Sequence, residues 1–378
     1  MGKLHLWLGL ASGLVVLVVT ITGCLLVFDK EIDEAVNHEF YFVPPQAQRV
    51  SLDEMLNKVA ALHPGYTVTR MTLETDAPER SVLFLSKKGK ALQYTAVNPY
   101  TGQVIRSIDY NKRFFTIVLQ LHRALCMNET GKVITGISCI IFLLMIGTGL
   151  VLWWPKRWKY IKQRLTVKWS ASRKRFTWDL HAVGGFYVHL VLFAIAFTGL
   201  TWAYKWFNDG IFLVFDGKPY KKVEAPLNQV QQPVAAGFYE QLYREANQRL
   251  PYKGEVRFIL PENDKQAISI FKENYEASIS NVVDILYYEK GTGRLLKDHL
   301  YRNASTGWKV RRIMYPIHTG QIFGWPTRII AFMACLVAAS LPITGLYIWL
   351  GRKKKAAKAA RKEPQPESAY MPQPAVVV

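Results

Sequence analysis

Four apolar stretches, a histidine spacing laid down twice and two matching runs of strand-like sequence predict an internally duplicated membrane protein. Its expected form is an all-α four-helix transmembrane bundle carrying two α+β domains outside the membrane. Leu4–Phe28, Val133–Trp154, Ala182–Tyr204 and Ile329–Leu350 are each 22 to 25 residues long. At 1.5 Å per residue each is long enough to cross a hydrocarbon core of ~30 Å. Apart from thiols and tyrosines, His5 and His189 are their only ionisable residues.

The first span, 4–28, opens on LHLWLGL, and Thr22-Gly23 follow His5 by 17 and 18 residues. Residues 29–118 form the first outer domain. SLDEMLNKVAALHPGYTVTRMTL reads as an amphipathic helix followed by a strand. SVLFLSKKGKALQYTAVNPYTGQVIRSIDY then alternates apolar and polar residues around a Thr101-Gly102 turn. Residues 119–154 hold the second span and an outer histidine segment, LHR, in which His122 precedes Thr148-Gly149 by 26 and 27 residues and Trp153 by 31. A basic loop, 155–177, leads to the third span, 178–206, where Thr198-Gly199 again follow His181 by 17 and 18 residues. The second outer domain, 207–312, repeats helix, strand and a Thr292-Gly293 turn before a last strand. In the fourth span, 313–350, IHTG sets His318 the same distances before Thr344-Gly345 and Trp349 as its counterpart in the second. The tail, 351–378, is basic and then Pro-rich from Glu363, a composition that forms no packed core.

The net charge of +20 is concentrated in a few places: nine Lys/Arg and no acid between Trp154 and Phe176, and seven after Leu350 against two acids. The segments 29–132 and 205–328 are near balance, with 31 basic and 25 acidic residues. Positive-inside bias therefore puts both termini and the 155–177 loop in the cytoplasm and both α+β domains outside. Because the basic runs flank spans, topology explains them and no nucleic-acid partner is expected; the partner surface is membrane lipid. Cys24, Cys139 and Cys335 lie in spans and Cys126 stands alone, so no disulfide framework is implied. Ile21-Thr22-Gly23-Cys24 looks like a lipoprotein cleavage box, but the apolar run continues past it and Thr-Gly recurs in every span without the cysteine, so the first helix is read as retained.

Histidines at matched depth in spans mark function. Neutral imidazole is an axial ligand for haem iron, and two imidazoles leave no open position, which suits electron transfer. A pseudo-twofold axis then pairs equivalents: His5 with His181 at the cytoplasmic end, His122 with His318 at the outer end. Gly149 and Gly345 lie level with the first pair, Gly23 and Gly199 with the second; each leaves room for a flat macrocycle, or simply allows close helix packing. From His122 to Val151 is 29 residues, about 43 Å of straight helix, so breaks are expected at Asn128–Gly131 and Gly324–Pro326. His189 stands eight residues beyond His181 without a partner in the first span. It is open to a ligand, hydrogen-bonding or proton role, or to a bond with a neighbouring carbonyl. Arg123, Lys309, Arg311 and Arg312 flank the outer histidines, where they would hold propionates, attract an anionic chelate or snorkel. Trp153 and Trp202 are grouped with the interfacial tryptophans; His38, His63 and His299 are expected to be solvated. No nucleotide or flavin motif is present, so the electron donor is separate.

The helix–domain–helix duplication, LHLWLGL, the Thr-Gly of each span, LHR…TGLVLWWPKRW and IHTGQIFGWPTR together resemble the PepSY-associated transmembrane family, over nearly the whole chain. The resemblance implies PepSY-like outer domains, a bacterial inner-membrane location and two non-covalent b-type haems. It also implies a membrane-bound oxidoreductase that takes electrons from quinol or a cytoplasmic flavoprotein and reduces a periplasmic ferric siderophore. Two other readings stay open: a non-enzymatic regulator whose outer domains bind a peptidase, and a haem subunit serving a flavoprotein with another acceptor.

Overall fold

The computed structural model describes residues 1–221, 223–230, 232–263 and 265–360, with side chains as far as 353 in the last helix. The Pro-rich tail expected from Glu363 lies outside the described residues. The chain begins with α1 (Gly2–Val27), the short α2 (Asp29–Val36) and α3 (His38–Tyr41), and α4 (Leu52–Leu62). Strands β1 (Thr67–Glu74), β2 (Val82–Lys88), β3 (Ala91–Val97) and β4 (Val104–Asp109) lead into α5 (Phe114–Ala124) and α6 (Asn128–Trp153). After α7 (Ile161–Leu165) comes α8 (Arg173–Ala203). Then follow α9 (Lys205–Asp216), α10 (Phe238–Arg249), β5 (Glu255–Ile259), β6 (Ile268–Glu273), β7 (Val283–Tyr288), β8 (Leu295–His299), α11 (Thr306–Thr319) and α12 (Trp325–Ala360).

Among the described residues, α1, α6, α8 and α12 are the helices long and apolar enough to cross a membrane. They pack as a ring, α1 on α12, α12 on α8, α8 on α6 and α6 on α1, so α1 and α8 are diagonal. Pairing across the halves is therefore across the bundle, not between side-by-side helices. Leu14, Leu144, Leu190 and Tyr347 point outward and are exposed, as lipid-facing side chains are in the absence of lipid.

The two outer α+β domains expected from the sequence are one body. The eight strands of the described residues form a single antiparallel sheet, ordered β4-β3-β2-β1-β5-β6-β7-β8, with β1 and β5 joining the halves through Met71 opposite Phe258 and Leu73 opposite Val256. Those four side chains belong to one core that also takes in Leu52, Met55 and Val59 from α4 and Phe238, Leu242 and Ala246 from α10. The helices cap each other reciprocally. The Asp53 carboxylate accepts the backbone N–H groups of Tyr239 and Glu240, and Glu240 accepts from Leu52 N–H and from Arg49. Each satisfies N–H groups that a helix start leaves without intrahelical acceptors. Asp53→Ala is expected to destabilise the sheet body by about 1–2 kcal/mol, read as a lower melting temperature; an unchanged melt would contradict the shared core.

Several boundaries move. The first outer histidine segment begins at Phe114, not 119, and the second at Thr306, not 313. The third span begins at Arg173, inside the basic run, rather than at 178. Residues 205–216, assigned mostly to the second domain, form α9, whose Trp206, Leu213, Val214 and Phe215 are exposed while Ile211 and Phe212 are buried. The expected helix breaks exist, each displaced a few residues toward the N-terminus. Leu125 and Cys126 take positive φ between α5 and α6, Asn128 takes it at the start of α6, and Gly320 and Gly324 take it between α11 and α12. A Cβ at Gly131 would lie 1.7 Å from the Ala124 carbonyl oxygen, so α6 can start against the end of α5 only with glycine there. These breaks fold α5 back along α1 and α11 back along α8, which carries His122 and His318 to the bundle.

Candidate functional site

The four histidines of the repeated spacings meet in two pairs. His5 and His181 stand with ring centroids 6.3 Å apart and planes at 85°, and His122 and His318 at 6.2 Å and 65°. The first pair lies at the end of the bundle remote from the sheet, the second at the sheet side. Along α1 the level of the first is given by His5 and that of the second by Thr22, which contacts His122. Seventeen residues of helix put about 26 Å between the levels.

Every one of these imidazoles is held the same way, by the Thr-Gly pair of a neighbouring helix in its own half. Nδ1 of His5 lies 3.0 Å from Thr148 Oγ1 and that of His181 lies 2.9 Å from Thr344 Oγ1. Nδ1 of His122 lies 3.1 Å from Thr22 Oγ1 and donates to the Val19 carbonyl at 2.9 Å. His318 repeats this with Thr198 at 3.4 Å and the Ile195 carbonyl at 2.8 Å. Each threonine hydroxyl already donates to the carbonyl four residues back, those of Leu144, Ser340, Val18 and Ala194. Its oxygen is left to accept. At His122 and His318 the carbonyl partner can only accept, so the proton sits on Nδ1 and the lone pair on Nε2; at His5 and His181 a threonine already donating to its own carbonyl favours the same tautomer. None of the four Nε2 atoms has a hydrogen-bond partner among the described residues.

The glycines serve the imidazoles directly. A Cβ at Gly149 would meet His5 Cε1 at 3.3 Å, at Gly345 His181 Cε1 at 3.3 Å, at Gly23 His122 Cε1 at 3.4 Å and at Gly199 His318 Cε1 at 3.1 Å. The sequence assigned this space to a macrocycle or to helix packing; here it lets the histidine edge lie against the neighbouring backbone. The threonine of each pair, whose hydroxyl fixes the tautomer, went unassigned in the sequence, although its recurrence beside the glycine was the available signal.

Other expected residues fall elsewhere. His189 is not drawn into either pair: its Nδ1 donates to the Phe186 carbonyl and its ring stacks on Phe186. Arg123 is exposed on α5, and its carbonyl receives the Thr135 hydroxyl. Trp153 is buried, stacked on Phe186 at 3.5 Å and donating to the Arg164 carbonyl, rather than lying open on the bundle surface. Trp202 likewise leaves the belt, with its ring 5.3 Å from that of His318 and the Arg311 guanidinium over its face. Of the outer histidines, His38 is exposed and stacks on Phe42, while His63 is half-buried and bonds Ser107. His299 is half-buried against Trp308.

The geometry fits a metal held between opposed imidazoles. Bonds of about 2 Å on either side of one ion, plus the half-width of each ring, set ring centroids about 6 Å apart. Among the described residues no three His, Cys, Asp or Glu side chains converge. Each pair supplies two imidazole donors, so an ion held there would take its remaining donors from elsewhere, as from the in-plane nitrogens of a macrocycle.

The sequence matches the family model described as PepSY-associated TM region over residues 3–352. The chain belongs to that family, and its four apolar helices fit a multi-pass membrane protein. A search of the curated proteins finds no match.

Proposed function

We propose that this chain is an inner-membrane electron-transfer protein holding two non-covalent b-type haems, one between His5 and His181 and one between His122 and His318. The observation that carries the reading is the pair of crossed imidazoles, each with its tautomer set and its Nε2 lone pair free. Bound haem would supply a one-electron iron couple, with the two imidazoles of each pair as its protein donors. The chain's part is to fix the imidazoles. Nδ1 bonds hold each ring and raise its basicity, glycine backbone sets its depth, and the two pairs together span most of a hydrocarbon core. Positive-inside bias of the basic loop supports a cytoplasmic His5/His181 end and a periplasmic sheet. Electrons would enter from quinol or a cytoplasmic flavoprotein and leave toward the sheet, where Fe(III) in a ferric siderophore is the acceptor. Fe(II) binds hard oxygen donors less strongly and would be released.

The test uses vesicles containing the purified protein, with reductant trapped inside and ferric chelate plus an Fe(II)-trapping dye outside. Protein-dependent Fe(II) formation outside is expected. Reduction of the protein's pigment with no Fe(II) formed from any ferric chelate would move the acceptor away from iron. Thr148→Val is expected to weaken haem retention at the His5 pair 10- to 100-fold, the usual cost of losing a ligand's outer hydrogen bond, whereas Thr148→Ser keeps it. Haem transfer to a competing apoprotein checks this.

A further inference from the structure

A cavity of ≈ 400 Å³ lies between the sheet and the bundle, beside the His122/His318 pair. Glu255 and Arg257 of β5, next to the seam, and Phe271 and Glu273 of β6 form its roof. Trp202, Arg311, Arg312 and Tyr315 form its floor. The Trp202 ring lies between the Arg311 guanidinium, 4.9 Å from its centroid, and the His318 ring at 5.3 Å.

The charges in this chamber do not balance. Arg257 is paired with Glu255. Among the described residues, Arg311 and Arg312 make no ion pair within 4 Å, and Glu273 acts on Arg312 only from farther off. Arg311 donates to the Asn208 amide oxygen at 2.7 Å, and Arg312 donates to the Asn281 carbonyl at 3.1 Å and amide oxygen at 2.5 Å. Burial lowers both guanidiniums from their ordinary range and raises the Glu273 carboxyl, while Glu273 and Arg312 attract each other across the lining. Two adjacent, partly buried cations hydrogen-bonded to amides, in a lining with three arginines against two glutamates, favour an anion in the space they face.

The scaffold alone does not require this charge. Counted from His122 as Arg311, Arg312 and Tyr315 are counted from His318, the first half has Phe115, Thr116 and Leu119. Counted from Thr22 as Trp202 is from Thr198, it has Leu26. Both halves hold their histidine with the same Thr-Gly device, yet only the second carries a cationic, aromatic floor.

We propose that this chamber receives an anionic iron(III) chelate with carboxylate or catecholate oxygens, Arg311 and Arg312 recognising its charge and Trp202 and Tyr315 its flat faces. This rests on the reading of the chain as an electron-transfer protein. The volume lies within the range of small-ligand pockets and suits a small chelate or one iron-binding arm of a larger one. Propionates of a haem at His122 and His318 would present the same oxygen chemistry, and the experiment separates the two sources.

The purified full chain, with its pigment as isolated, is titrated calorimetrically with redox-inert gallium(III) tris-catecholate, a trianion, and with neutral gallium(III) tris-hydroxamate. R311Q and R312Q are each expected to weaken the trianion about tenfold or more, the weight of one charge-assisted hydrogen bond, with haem content unchanged. R311K is expected to recover most of the binding, and the neutral complex to respond little. Unchanged affinity for the trianion in the double variant, or no binding of it by the parent chain, would overturn the proposal. Loss of haem in the same variants would also overturn it, assigning the arginines to propionates. Colourless protein that still binds the trianion through Arg311 and Arg312 would keep the site while removing its redox role.

Discussion

His318→Ala is expected to remove one of two haems, and His122→Ala to remove the same one, while His5→Ala and His181→Ala each remove the other. The grouping follows from the pairs, which cross the halves: His318 faces His122 at 6.2 Å and lies at the opposite end of the bundle from His181. Each variant leaves a single imidazole and a vacated edge beside glycine backbone. Losing an outer hydrogen bond to a ligand already costs 10- to 100-fold in affinity, so losing the ligand should cut electron delivery to an outside acceptor by roughly 100-fold or more. Haem content and the rate of Fe(II) formation in the vesicle assay check this together. Variants grouped by half, His5 with His122 and His181 with His318, would mean that the ligands pair within a half.

Gly199→Val should act as strongly without touching a histidine. Its Cβ would lie 3.1 Å from His318 Cε1, and the branched methyls would drive the ring off the Thr198 and Ile195 oxygens. Overpacking of this kind costs about 1–3 kcal/mol, enough for a ten- to hundredfold loss of haem at that pair alone. Gly345→Val should do the same to the His5/His181 pair through His181. Gly147 is the control: two residues before Gly149 on the same helix, its Cβ would meet nothing within 4 Å, so Gly147→Val should leave both haems. Equal damage from Gly147→Val would show that these glycines serve general helix packing. Spectra of the three variants, normalised to protein, decide it.

The histidine pairs were legible because a spacing written twice is a statement about depth, and depth is most of what pairing needs in a bundle. The threonines were harder to read. A threonine in an apolar helix bonds its own preceding carbonyl whether or not anything else approaches, and only the fold shows His122 arriving at Thr22 from 100 residues away. The single sheet was hidden for a related reason. Met71 and Phe258 each sit in a strand that reads correctly alone, and nothing local tells an edge strand from one that will pair with the other half. Arg257 looked like any outward residue of an alternating strand, and Trp202 like any tryptophan at a membrane boundary. Only the fold brings both into one chamber, with Arg311, Arg312 and Tyr315 of α11 in the same lining.

The most direct measurement is the absorption spectrum of the purified parent chain, oxidised and then reduced by dithionite, with haem counted as its pyridine adduct. Two haem b per chain, six-coordinate and low-spin in both states, is the predicted result. Colourless protein from haem-sufficient, iron-replete cells, or pigment retained in full by a variant lacking His5, His122, His181 and His318, would contradict it.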